Sequence, residues 1–135
     1  MPIPVFAPGF RLSLLDVAVL LLGSIAVVAI GNMTWWWGFV VGFVLAHFFL
    51  FCNVFRIARS LELVWAGVFT ALAGGTIAAE KPGWIITAAA SFAVTIIVVV
   101  LEMRKPSYHG IGWSRINPKL PSWWEGNSTQ LHRES

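Results

Sequence analysis

Charge is scarce in this chain. Only 11% of its 135 residues are Asp, Glu, Lys or Arg, where soluble domains carry about 25%. That shortage excludes an ordinary water-solvated fold. Cysteine is scarcer still: Cys52 stands alone, so an intrachain disulfide and a metal site of the CxxC type are both excluded. Among the phenylalanines around it, a lone cysteine is expected to act as a small buried hydrophobe. Acids are few, and none lies midway along an apolar run. Paired carboxylates for acid–base chemistry are therefore missing, as are the intramembrane acids typical of pumps. Only His47 falls inside an apolar run, so a bis-histidine haem within the membrane is excluded. Motifs of the GxSxG, HExxH, P-loop and dinucleotide-glycine types are absent. No basic stripe exists to bind nucleic acid, and no alternating pattern exists to build a membrane barrel.

What the chain has in quantity is apolar length: 58% of its residues are hydrophobic. A membrane span needs about 20 mostly apolar residues. Four runs qualify, at about 12–31, 35–55, 62–79 and 83–103. The first follows Arg11 and is read as a retained helix rather than a signal segment. Short connections make successive helices antiparallel. The expected fold is an all-α integral membrane protein, with a four-helix bundle over 1–105. A Pro/Trp-rich, irregular tail over 106–135 completes it.

Lysine and arginine set the orientation. Arg11, Arg56, Arg59, Arg104, Lys105, Arg115, Lys119 and Arg133 fall on one side, and Lys81 alone on the other. Both termini are thus expected on the cytoplasmic side of a bacterial inner membrane. Trp35, Trp36, Trp37 and Trp84 suit the opposite interface.

Each polar residue in a span needs a reason. Ser13 and Asp16 have capping-box spacing. In the second span Gly38, Gly42 and Ala46 recur every four residues, a row that admits a second backbone at close range. Asn53 lies seven residues past Ala46, nearly on that face at 100° per residue. It is expected to extend the seam with an interhelical hydrogen bond worth about 0.6–2 kcal/mol. His47 lies one residue off the seam. It has three readings: a structural hydrogen bond, a ligand for haem or a chlorophyll-type pigment, or a proton relay. Arg56 and Arg59 read as an interfacial turn whose long stems reach toward headgroups, with Arg59 placed to pair with Glu62.

The third span offers Gly67, Ala71 and Gly75 as a packing row. A second row, Thr70, Gly74 and Ala78, lies beside it. In the fourth span Thr87, Ser91 and Thr95 form a hydroxyl stripe, expected to bond to backbone carbonyls or a neighbouring helix. In the tail, Trp113, Trp123 and Trp124 alternate with basic residues, a composition suited to a membrane surface or a partner. An ordered tail would point to a partner holding it.

These features favour a non-catalytic accessory or structural subunit of a larger membrane complex, respiratory or photosynthetic. Its partners would be lipids and other membrane subunits, and a chlorophyll-type pigment or a bound lipid is the cofactor class to consider. The alternatives are a small oligomeric transporter or channel, and a pigment- or haem-binding protein using His47.

Overall fold

The computed structural model describes residues 6–134. The side chains from 128 onward, Arg133 among them, lie outside that description. Four helices are long and apolar enough to cross a membrane. They are α1 (Leu14–Met33), α2 (Trp35–Phe49) continued by a π-helical turn (Leu50–Val54), α3 (Arg59–Ala79) and α4 (Trp84–Met103). Two helices follow in the tail, α5 (Trp113–Ile116) and α6 (Leu120–Glu134). No described residue lies in a strand.

The capping box forms as its spacing predicts. The Ser13 hydroxyl accepts from the Asp16 amide at 3.2 Å, and the Asp16 carboxylate accepts from the Ser13 amide at 2.8 Å. At its far end α1 passes into α2 through one residue, extended Thr34. A link this short presses the two helices together. Gly31 and Gly38 flank it, and a Cβ on Gly38 would stand 2.6 Å from Gly31 Cα and 2.9 Å from Gly31 N. One turn on, the Cβ of a residue at Gly42 would meet Val27 at 3.3 Å, and beyond that Leu45 covers Gly23. Leu45, not Ala46, continues the seam, because Ala46 is exposed. The rest of α1 is a leucine-rich surface with no buried residue.

α3 and α4 form the second hairpin. Its turn is tied by hydroxyls: Thr76 donates to the Leu72 carbonyl at 2.9 Å, lies 3.1 Å from the Thr87 hydroxyl, and accepts from the Gly83 amide at 3.2 Å. Gly75 sits under the Lys81 carbonyl, 2.8 Å from where its Cβ would be. Gly75 thus seats the turn rather than a second helix. The hairpins meet through Phe51, Ile57, Trp65, Phe69, Ala73 and Val98. Phe43 adds aromatic contacts to Phe69 at 5.1 Å and Trp65 at 6.0 Å. Gly67 and Ala71 are not in this core. They face outward with Thr70, Gly74 and Ala78.

The π turn alters what the sequence spacing implies. Phe55 N–H bonds to the Leu50 carbonyl at 3.0 Å, an i→i−5 bond. This wider turn breaks the 100° count from Ala46. Asn53 is buried and lines the α1–α2 groove beside Asp16, but its amide bonds to the Arg11 carbonyl in the segment ahead of α1. Cys52 is exposed rather than buried, with its thiol 3.7 Å from Glu62. Lys105 pairs with Glu102, and Arg59 is exposed without pairing to Glu62.

The tail is more regular than its composition suggests. α6 runs for 15 residues because Pro121 falls in its first turn, where an amide has no helical partner to lose. The tail is also held by its own chain. Trp113 and Trp124 pack on Phe6 at 5.9 and 5.3 Å, and Leu120 and Tyr108 are fully buried.

Gly38→Leu is expected to lower bundle stability by about 1–3 kcal/mol, the usual range for overpacking. Denaturant unfolding of the purified chain in bicelles would measure it, and wild-type stability would refute the close approach.

Candidate functional site: a buried histidine and a polar collar

His47 is 4% exposed. Its ring stacks on Trp65 at 4.4 Å and 17°, and Phe43, Phe51 and Phe92 stand 4.3, 5.8 and 5.5 Å away. Nδ1 lies 2.8 Å from the Phe43 carbonyl. A carbonyl only accepts, so Nδ1 carries the proton and Nε2 keeps a lone pair. That Nε2 is buried without a hydrogen-bond partner. Metal-binding histidines use their second nitrogen in the same way. Yet aromatic rings crowd this one, leaving no open face for a macrocycle. Among the described residues, no three His, Cys, Asp or Glu groups gather as a metal site.

Trp65 links the histidine to the hydroxyl stripe. Its indole N–H donates to the Ser91 carbonyl at 3.1 Å, and the Thr95 hydroxyl donates to the same carbonyl at 2.8 Å. Thr87, Ser91 and Thr95 are all buried. The Ser91 hydroxyl is a second buried group without a partner. The stripe therefore faces the interior of the α3–α4 hairpin.

The other polar concentration is a collar at the end of the bundle that carries both termini. Asn53 Nδ2 donates to the Arg11 carbonyl at 2.7 Å, and the Arg11 amide donates to the Asn53 carbonyl at 3.0 Å. The Ile111 amide bonds to the Val54 carbonyl at 2.8 Å, and the Gly9 amide to the His109 carbonyl at 2.6 Å. Gly110 lies so close to Phe55 that any Cβ there would strike the Phe55 carbonyl. Tyr108 closes the tail's turn by donating to the Ile111 carbonyl at 2.6 Å.

Arg56 sits at the centre of this collar with φ of 53°. A left-handed backbone is costly for a residue with a Cβ. Its guanidinium donates to the Ala7 carbonyl at 3.2 Å and the Gly9 carbonyl at 3.4 Å. A cavity of about 390 Å³ opens beside it, lined by Cys52, Arg56, Ile57, Ala58, Glu102, Lys105, Ser107 and His109. Glu102 is 3% exposed. Lys105 Nζ stands 2.9 Å from its Oε2, at an angle that makes no hydrogen bond, so that oxygen has a countercharge but no donor.

Burial pushes the Tyr108 phenol up, and nearby Glu102 adds to the effect. Burial pulls His109 below its ordinary 6.5, offset in part by the Nδ1 contact to the Ser107 carbonyl; Arg56 lowers it further and Glu102 raises it. The collar thus presents two cations, one carboxylate and a histidine inclined to stay neutral. That set is chemically able to pair with a charged, hydrogen-bonding group.

Of the residues singled out by sequence, Asn53, Arg56 and the segment holding Trp113 and Trp124 come together here. His47 stands apart in the aromatic core, and Arg59 and Trp123 take no part in the cavity. Sequence reading missed Glu102, Lys105 and His109 as a set. The i, i+3 spacing of Glu102 and Lys105 was their one available signal. The chain matches no family model, no curated protein and no solved structure.

His47→Phe keeps a stacking ring and removes an unpartnered acceptor. Its stability is expected within about 1 kcal/mol of wild type by denaturant unfolding. A loss above about 2 kcal/mol would reveal a partner on Nε2. For His109 the unfolded chain takes up its proton at a higher pH than the folded chain. Stability should therefore fall as pH drops below 6.5, and His109→Leu should flatten that limb of a melting-temperature profile.

Proposed function

We propose that this chain is a small, non-catalytic accessory or structural subunit of a larger membrane complex. The observation that carries this reading is the outer face of α3. Gly67, Thr70, Ala71, Gly74 and Ala78 are all exposed there. A Cβ at Gly67 or Gly74 would meet nothing within 4 Å. Between helices in lipid, close van der Waals packing is the main attraction, and small residues are what permit it. A smooth face of this length packs poorly against acyl chains and well against a second helix. The excess of lysine and arginine at the collar end supports both termini on the cytoplasmic side of a bacterial inner membrane.

His47 supports a second reading, in which its free Nε2 holds a ligand. The crowding by four aromatic rings favours a small occupant over a pigment or haem. A visible absorption band that co-purifies and disappears in His47→Phe would reinstate the pigment.

Native mass spectrometry of the chain, extracted from its own membrane in mild detergent, tests the main reading. Wild type is expected in a large assembly of fixed stoichiometry. Gly67→Leu should run as the free chain, with the helicity and melting of the wild-type bundle. A wild-type chain that extracts as a bare monomer would overturn the proposal.

A further inference from the structure

The collar cavity has an unbalanced charge. Lys105 is neutralised by Glu102, whereas Arg56 bonds only to the neutral carbonyls of Ala7 and Gly9. A half-buried guanidinium without an anion is a vacant half of a charge-assisted pair. α3 begins at the same wall. Its cap residue, Ala58, has no side chain able to cap the first-turn amides, and although Glu62 in that turn, 3.7 Å from the Cys52 thiol, offsets part of it, the positive end of a 21-residue helix adds to the attraction for an anion. The second requirement comes from Glu102. Its Oε2 is buried on the cavity wall and lacks a hydrogen-bond donor. Lys105 already gives Glu102 a cation, so an occupant that suits both carries a net negative charge and, a few ångströms away, a neutral donor.

A third feature says what is attached to that occupant. A groove of about 190 Å³ lies between α1 and α2, walled mainly by apolar residues such as Leu15, Val19, Leu45 and Phe48, with Asp16 and Asn53 where it nears the collar. Cys52 lines both groove and cavity. The polar site thus adjoins a largely apolar channel on the flank of membrane-length helices. A free phosphate would leave the channel empty, and a fatty acid would leave Glu102 without a donor.

We propose that the collar is a phospholipid site that takes an anionic phosphodiester headgroup bearing hydroxyls, of the phosphatidylglycerol kind, with an acyl chain along the α1–α2 groove. The phosphodiester sits by Arg56 and the start of α3, and a headgroup hydroxyl donates to Glu102. One negative charge cancels the one surplus positive charge. An ethanolamine headgroup supplies a donor but no net charge, and a choline headgroup supplies neither. This inference is independent of the accessory-subunit reading, since it concerns the chain's own collar.

The test is native mass spectrometry of the full chain released from nanodiscs containing equal parts phosphatidylglycerol, phosphatidylethanolamine and phosphatidylcholine. One retained phosphatidylglycerol is expected, about tenfold over either zwitterionic lipid, as one charge-assisted contact provides. Lys105→Gln, on a partly hydrated side chain, and Val19→Trp, which fills the groove, should each reduce retention with helicity unchanged. Arg56→Gln should do the same wherever circular dichroism shows it folded. Equal retention of the three lipids would overturn the proposal, as would full retention in both Lys105→Gln and Val19→Trp. Displacement of the lipid by millimolar inorganic phosphate would assign the site to the free anion and overturn it too.

Discussion

Two hydrogen bonds between Arg11 and Asn53 tie the start of the first helix to the end of the second. Each residue gives the other one donor, and Asn53 is 3% exposed while doing so. Without that clasp the segment before α1 would have no fixed place. The carbonyls of Ala7 and Gly9 would then not reach Arg56, and Gly9 would not reach His109. The π turn belongs to the same arrangement. It aims the Asn53 amide at the segment ahead of α1. The left-handed backbone at Arg56 then turns the chain sharply into α3. A polar end is thereby assembled from three separate stretches of sequence.

The four long helices were legible because apolar length is a blunt signal, and the capping box because its two residues are local. The packing faces were not. In an almost wholly apolar helix, several faces look alike, and polarity no longer marks which one turns inward. Gly38 and Gly42 stood out through spacing, but Ala46 did not continue their row and Leu45 did. The small residues of α3 have helical spacing too, yet Gly67 and Ala71 point away from the core. Asn53 does line the α1–α2 groove, but its partner, the Arg11 carbonyl, was hidden for a different reason: a π turn adds a residue without any mark in the sequence. The tail was misjudged by counting prolines instead of locating them, since Pro121 occupies a turn that tolerates it. Its order comes from Phe6 and the collar, contacts that join the two ends of the chain and leave no local trace.

The interior carries two kinds of polarity with opposite consequences. Thr76, Thr87 and Thr95 bond locally or across one hairpin, so they add order without leaving groups stranded. His47 Nε2 and Ser91 Oγ are stranded, and Glu102 Oε2 has the Lys105 ammonium as a countercharge but no aligned donor. Buried groups of that sort weaken a bundle unless something else uses them. Glu102 adjoins a cavity where an occupant fits. His47 is closed in by rings, and its imidazole serves there as a flat stacking element on Trp65.

The single residue between α1 and α2 bears on how the hairpin is kept shut. Were Thr34 to turn helical, residues 14–54 would become one rod of roughly 60 Å at 1.5 Å per residue. A bilayer's hydrocarbon core is about 30 Å thick. Half of such a rod, with its leucines and tryptophans, would stand in water. The fold at Thr34 is thus enforced from outside, by the thickness of the surrounding medium, and the glycines need only supply room for it.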